Sequence, residues 1–181
     1  LPGITKIWRK RLGHTSGRYE EVPDCLIVID SSGSMTNPAY QISYAVVAAL
    51  CAANTYLSYN SSVAVYNFAY SPCEELVVEF TRDKAKIYKA IIYYFGGGTR
   101  IDLKKIERLL GNSTNVDVFM ITDMKIYNLE DVIRFFSKID NRVTIVYTRR
   151  SFELKKFRKK VTRGNVSFYQ VQREEDIPKI V

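Results

Sequence analysis

The sequence predicts an α/β fold: a doubly wound, mostly parallel sheet with one antiparallel edge strand and helices on both faces. Three observations predict it. Short aliphatic runs alternate with stretches of helical periodicity from Val22 onward, the pattern of a parallel sheet with crossover helices. The runs Cys25–Ile29 and Val116–Ile121 are nearly unbroken by polar residues, as in strands covered on both faces. One connection, Tyr70-Ser71-Pro72-Cys73-Glu74, is too short for a parallel return, so the strands it joins pair antiparallel.

Leu1 to Glu21 reads as an irregular basic lead-in, with Trp8 as a packing anchor and His14 as a surface residue. Residues 22–181 form the folded domain. Strand one, Cys25–Ile29, follows the turn signal Pro23-Asp24. A helix is expected from about Pro38, a residue suited to a first helical turn, to Tyr59. Its Ala, Val and Leu content is apolar nearly all round, which implies burial against more than one neighbour. Val63–Ala69 is strand two and Leu76–Phe80 its antiparallel partner. A second helix spans about Asp83–Phe95, with Ile87, Ala90, Ile91 and Tyr94 at helical spacing. Gly96-Gly97-Gly98-Thr99 and a short helix from Asp102 to Leu110 precede strand Val116–Ile121. Asn128 is placed to cap a helix carrying Val132, Ile133, Phe135, Phe136 and Ile139. Arg142–Tyr147 is a strand, Phe152–Val161 a basic helix with Phe152, Phe157 and Val161 on its buried side, and Val166–Val171 a strand. Glu174–Val181 begins a last helix. The tyrosines of the helical stretches, Tyr40, Tyr44, Tyr93 and Tyr94, read as packing residues.

At 181 residues the chain is one domain with room for a real core. No apolar run reaches the length of a membrane span, and the first residues show no signal-peptide pattern. The chain starts at Leu1, which leaves an upstream domain open. Cys25, Cys51 and Cys73 show no C-x-x-C spacing; an odd count at buried-looking positions fits reduced thiols and a cytoplasmic location. A single histidine, His14, argues against a histidine zinc site or a Ser-His-Asp triad. The glycine run is not a P-loop, since no Gly-Lys-Ser/Thr follows. The net charge of +8 comes mostly from Arg149, Arg150, Lys155, Lys156, Arg158, Lys159, Lys160 and Arg163, opposed locally only by Glu153. That stretch reads as a solvated helix face, with an acidic partner as the alternative.

The most informative feature is Asp30-Ser31-Ser32-Gly33-Ser34-Met35, directly after strand one. One carboxylate with alternating hydroxyls has no packing value, because buried polar groups are costly unless paired. Hard oxygen donors of this kind suit a small divalent cation. In a doubly wound sheet, ligands bind beyond the carboxyl ends of the strands where the strand order reverses. Asp30 and Asp123 each end a central strand candidate, so they become neighbours if those strands flank the reversal. The glycines before Thr99 let that loop approach the same place.

Asp30, Ser32 and Ser34 on one loop, Thr99 on a second and Asp123 on a third resemble the von Willebrand factor A (VWA) family and its metal-ion-dependent adhesion site. The resemblance runs from Val22 to the end. Gly33-Ser34-Met35 resembles the intracellular microbial branch. The resemblance implies a Rossmann-like fold and a Mg2+ site, with Mn2+ or Ca2+ as alternatives. It implies that Ser32 and Ser34 bind the ion directly, and that Asp30, Thr99 and Asp123 bind it directly or through water. A coordination position is then left for an Asp or Glu of a partner protein. Intracellular relatives often act beside AAA+ ATPases of the MoxR type, and a related version is fused behind a metallopeptidase-like domain.

Two positions depart from the family pattern. Met124 stands where Gly often follows the last Asp, which puts the path of that loop in question. Arg100 stands where many intracellular members carry Asp, placing a cation beside the site, where it repels metal or helps hold an acidic partner. Asp102 either replaces the missing acid or serves the N-terminus of the next helix. The expected function is a non-catalytic, metal-dependent protein-interaction module. Nucleic-acid binding through the basic helix, as VWA-containing RNA-binding proteins of the Ro type suggest, is the alternative. Hydrolysis ranks last, because no histidine base or nucleophile lies near the motif.

Overall fold

The structure, a computed structural model, describes residues 22–149, 151–173, 175 and 176. The expected lead-in of residues 1–21, with Trp8 and His14, and nearly all of the expected last helix lie outside the described residues.

Six strands form one sheet: β1 (Asp24–Asp30), β2 (Val63–Phe68), β3 (Glu75–Thr81), β4 (Val116–Thr122), β5 (Val143–Tyr147) and β6 (Val166–Gln170). Their order is β3-β2-β1-β4-β5-β6, with β3 antiparallel and every other pairing parallel. The expected antiparallel edge strand and the expected reversal between β1 and β4 are both present. Ile29 pairs with Ile121, which brings the carboxyl ends of these two strands to the same level.

Side chains alternate along β1 into two cores, as strand geometry requires. Leu26 and Val28 join one core; Cys25, Ile27 and Ile29 join the other. Helices α1 (Tyr44–Ser58) and α2 (Lys84–Ile92) cover the second face. Helices α3 (Leu103–Leu110), α4 (Leu129–Phe136) and α5 (Phe152–Lys160) cover the first. Helix α1 buries Ala45, Ala48, Ala49, Ala52 and Ala53, and these small side chains let it lie close on the sheet.

Four details differ from the sequence reading. Helix α1 starts at Tyr44 rather than near Pro38, because Ser43 caps it by accepting from the Val46 N–H, while residues 38–40 form a turn. Tyr40 therefore stands in that turn, 86% exposed, instead of packing in a helix. Helix α2 stops at Ile92, so Tyr93 and Tyr94 follow it. Phe152 opens α5 at 76% exposure; Leu154 and Phe157 supply the buried side.

The basic helix is partly neutralised from within. Lys156 and Lys160 both pair with Glu130, Arg163 pairs with Asp140, and Arg158 lies 5.1 Å from the Phe168 ring centre. At the opposite end of the sheet from the Asp30 loop, Asp117 is buried between Arg142 and the Tyr56 hydroxyl, which donates to it at 2.5 Å.

Candidate metal centre

Asp30 ends β1 at 2% exposure. The Ser32 N–H donates to its Oδ1 at 2.9 Å, closing an Asx turn that reverses the chain out of the sheet. The Thr122 hydroxyl donates to Oδ2 at 2.7 Å and accepts from the Met124 N–H at 2.9 Å. Thr122 was not assigned a role from the sequence. A hydroxyl residue ending the strand beside β1, one residue before the second aspartate, is the signal that marks it.

Ser31 turns away from the site. Its hydroxyl donates to Asn67 Oδ1 at 2.6 Å, and its N–H donates to the Phe68 carbonyl at 2.8 Å. That anchoring leaves Ser32 and Ser34 facing the opposite way, with their oxygens 3.4 Å apart. The two hydroxyls are within hydrogen-bonding distance, and neighbouring ligands of an octahedral magnesium ion stand at a comparable separation of about 3 Å.

The Gly96–Thr99 loop is sewn to this turn. The Gly33 N–H donates to the Gly97 carbonyl at 3.0 Å, and the Gly96 N–H to the Ser31 carbonyl at 2.9 Å. Gly96 and Gly97 have φ of 80° and 73°, a region that favours glycine. A Cβ at Gly97 would fall 2.5 Å from Glu74 Oε2, so any side chain there would displace the Glu74 carboxylate as well as strain the backbone. Thr99 is buried, and its carbonyl accepts from the Tyr127 N–H at 2.9 Å. Asn128 stands at the expected position just before α4, but its side chain does not cap the helix: it brackets Ile101, accepting from the Ile101 N–H and donating to its carbonyl. The same residue thus ties the loop after β4 to the loop of Thr99. Asp102 caps α3 by accepting from the Lys104 N–H, the N-terminal role considered for it.

Asp123 is fully buried just beyond β4. The Lys125 N–H donates to its Oδ1 at 3.0 Å, but Oδ2 is buried with no hydrogen-bond partner among the described residues. Met124 has φ of 68° and is fully buried. It keeps the left-handed conformation that glycine adopts freely, and its side chain joins the core.

Burial pushes the Asp30 carboxyl up to about 6, against the lowering pull of hydrogen bonds from Ser32 and Thr122; the Asp123 charge adds to the rise. Two carboxylates thus share a water-poor site without a basic side chain between them. The five candidate residues lie on three loops: Asp30, Ser32 and Ser34 are linked directly, Asp123 is felt by Asp30 through its charge, and Thr99 lies on the loop whose Gly96 and Gly97 are bonded to the Asp30 turn. Among the described residues no three of His, Cys, Asp and Glu converge on one point. The donors are two carboxylates and hydroxyls, a set that suits magnesium and does not suit zinc. The orphaned Asp123 oxygen and the paired serine hydroxyls fit a divalent ion.

A doubly wound α/β domain with buried aspartates and hydroxyls at its strand-order reversal defines the class. The chain belongs to the von Willebrand factor type A domain family, whose sequence profile matches residues 25–125. Domains of this family generally serve as protein-interaction modules. No curated protein matches the chain in sequence. Among solved structures, the crystal structure of the SpRpn10 VWA domain superimposes with a TM-score of 0.64 at 14% identity, covering 88% of this chain and 93% of that one. The von Willebrand factor type A structure from Catenulispora acidiphila gives a TM-score of 0.60 at 17% identity, covering 86% of this chain and 40% of that one. At these identities the likeness shows the fold.

Proposed function

We propose that this domain is a non-catalytic, metal-dependent protein-interaction module that binds an acidic side chain of a partner through a Mg2+ site of the adhesion-site type. The observation that carries this reading is the buried, unpartnered Oδ2 of Asp123 beside the raised Asp30 carboxyl. A buried carboxylate oxygen without a donor is costly, and a cation is the species that removes the cost from both aspartates at once.

Ser32 and Ser34 would hold the ion directly, with Asp30, Thr99 and Asp123 binding it directly or through water. When bound, the ion supplies an open coordination position for a partner's Asp or Glu. This chain's own residues would fix the donors: Ser31 anchors the turn to Asn67, Thr122 orients Asp30, and the Gly96 and Gly97 backbone ties the loop of Thr99 to that turn. Mn2+ or Ca2+ would use the same oxygens. The partner class that fits is a MoxR-type AAA+ ATPase or a domain fused upstream. Free Cys25, Cys51 and Cys73 suit a reducing, cytoplasmic setting of the intracellular microbial type. Among the described residues no helix is long and apolar enough to cross a membrane.

A catalytic role is disfavoured by the absence of histidine from residues 22–181. Nucleic-acid binding by the basic helix is disfavoured because Lys156, Lys160 and Arg163 are engaged in ion pairs within the domain.

Calorimetric titration of the chelator-stripped domain with magnesium, alongside Asp30→Ala, tests the reading. Binding of about one ion, abolished by the substitution, is expected for a single octahedral site. Equal binding by both proteins would show that the ion sits elsewhere.

A further inference from the structure

Beside Thr99, the side chains of Tyr70, Arg100 and Tyr127 are exposed. Tyr70 and Tyr127 stand edge to face with ring centres 6.3 Å apart and rings at 70°. They are 42% and 73% exposed and lie against each other, so together they form a small aromatic surface. They hem in Gly98, where a Cβ would come within 3.1 Å of each ring. The next side chain after Thr99 is Arg100. Its backbone is pinned on both sides, its N–H donating to the Ala69 carbonyl at 2.7 Å and its carbonyl accepting from the Ser71 N–H at 3.1 Å. The guanidinium therefore starts from a fixed point next to the candidate metal centre.

Arg100 lines two open hollows, of about 600 and 400 Å³; Tyr70 borders the first and Tyr127 the second. The acids along these hollows are already engaged. Asp131 pairs with Arg134 at 2.7 Å, Glu130 pairs with Lys156 and Lys160, and Asp102 caps α3. Arg100 pairs with no carboxylate among the described residues. The hollows thus offer an uncommitted cation flanked by aromatic surface.

We propose that Arg100 and the Tyr70–Tyr127 pair form a second subsite contiguous with the metal centre, so that the ligand is a short segment of a partner protein bearing two acidic side chains, one for the metal and one for Arg100. This rests on the metal-dependent reading above. A planar guanidinium receives a carboxylate through two parallel hydrogen bonds, and the tyrosine rings pack the apolar stem that carries it. The hollows carry Arg100, Lys104 and the paired Lys156 rather than a long basic track of the kind a phosphate backbone engages, which favours a short acidic protein segment over a nucleic acid. The arginine that breaks the usual acidic pattern after Thr99 then acts as a selectivity device: it adds affinity for a second acid and discriminates against segments with one.

The test is selection of a random-sequence display library of short peptides, each with one fixed Glu, on the whole protein in saturating magnesium, with elution by chelator. Wild-type protein is expected to enrich a second Asp or Glu at a preferred distance from the fixed one. Replacing that second acid in a selected peptide should weaken binding about tenfold. Arg100→Gln should erase the enrichment while leaving chelator-sensitive capture in place, and Arg100→Glu should enrich Lys or Arg at the same distance. Because Arg100 is exposed, both variants are expected to keep the wild-type melting temperature. A chelator-eluted pool with no second acid, or an enrichment indifferent to Arg100→Gln, overturns the subsite while the metal-dependent reading stands. Failure to obtain any chelator-eluted pool overturns both.

Discussion

Replacing Asp30 with Asn should stabilise the metal-free domain while destroying its ion site. Burial lifts the Asp30 carboxyl from the ordinary 3.8 to about 6. A raised carboxyl adds stability that is fully present below the unfolded value and is lost as pH rises through the folded one. At about 1.4 kcal/mol per tenfold, this difference amounts to about 3 kcal/mol missing from the apo protein at pH 7. Asn at this position still accepts from the Ser32 N–H but presents an amide to Thr122, whose hydroxyl already accepts from Met124. The Thr122 proton then lacks its acceptor, a loss of about 1 kcal/mol. The net expectation is a gain of about 2 kcal/mol, or about 4–8 °C in melting temperature for a domain of this size. Thermal denaturation in chelator between pH 4.5 and 7.5 measures it. The wild-type melting temperature should fall across that range relative to the variant's, and magnesium in hundredfold excess over its dissociation constant should restore about 2.7 kcal/mol to the wild type alone. An Asp30→Asn protein that melts below the wild type at pH 7 in chelator would refute the reasoning.

Three further perturbations probe the scaffold. Met124→Gly relieves the left-handed strain at φ 68° but empties a fully buried site, so chemical denaturation should show a net loss of about 2 kcal/mol. Gly97→Ala drives a methyl group into Glu74 at a positive φ; it should cost about 2 kcal/mol and weaken magnesium binding, read by calorimetry, because Gly97 holds the Gly33 turn. Arg142→Ala leaves Asp117 buried without its cation and should cost about 3 kcal/mol by denaturant midpoint, with magnesium affinity unchanged, since it lies at the other end of the sheet.

The central sheet was legible because its strands are continuous aliphatic runs, and because six residues between β2 and β3 permit only a hairpin. The candidate residues Asp30, Ser32, Ser34, Thr99 and Asp123 stood out in the sequence because each falls at the end of a strand or in a glycine loop, where polar clusters have no packing use. What stayed hidden depends on contacts between distant segments. Pro38 suits a helix start, yet the loop continues to Ser43, where a capping hydroxyl decides the boundary. Asn128 looks like a cap because Asn caps are common, but it serves Ile101 across the space between two loops. Asp117 and Arg142 look like ordinary strand and turn polarity; only the parallel pairing of β4 with β5 makes them partners. Phe152 carries no sign in its own sequence that it faces solvent while Leu154 two residues later faces the core.

The central claim is that these three loops hold one divalent ion. Anomalous diffraction from crystals grown in manganese tests it most directly. A single peak within coordination distance of the Ser32 and Ser34 hydroxyls, adjoining Asp123 Oδ2, is the expected result. Saturating manganese that leaves these residues without a peak, or places its peak elsewhere on the domain, would contradict the account.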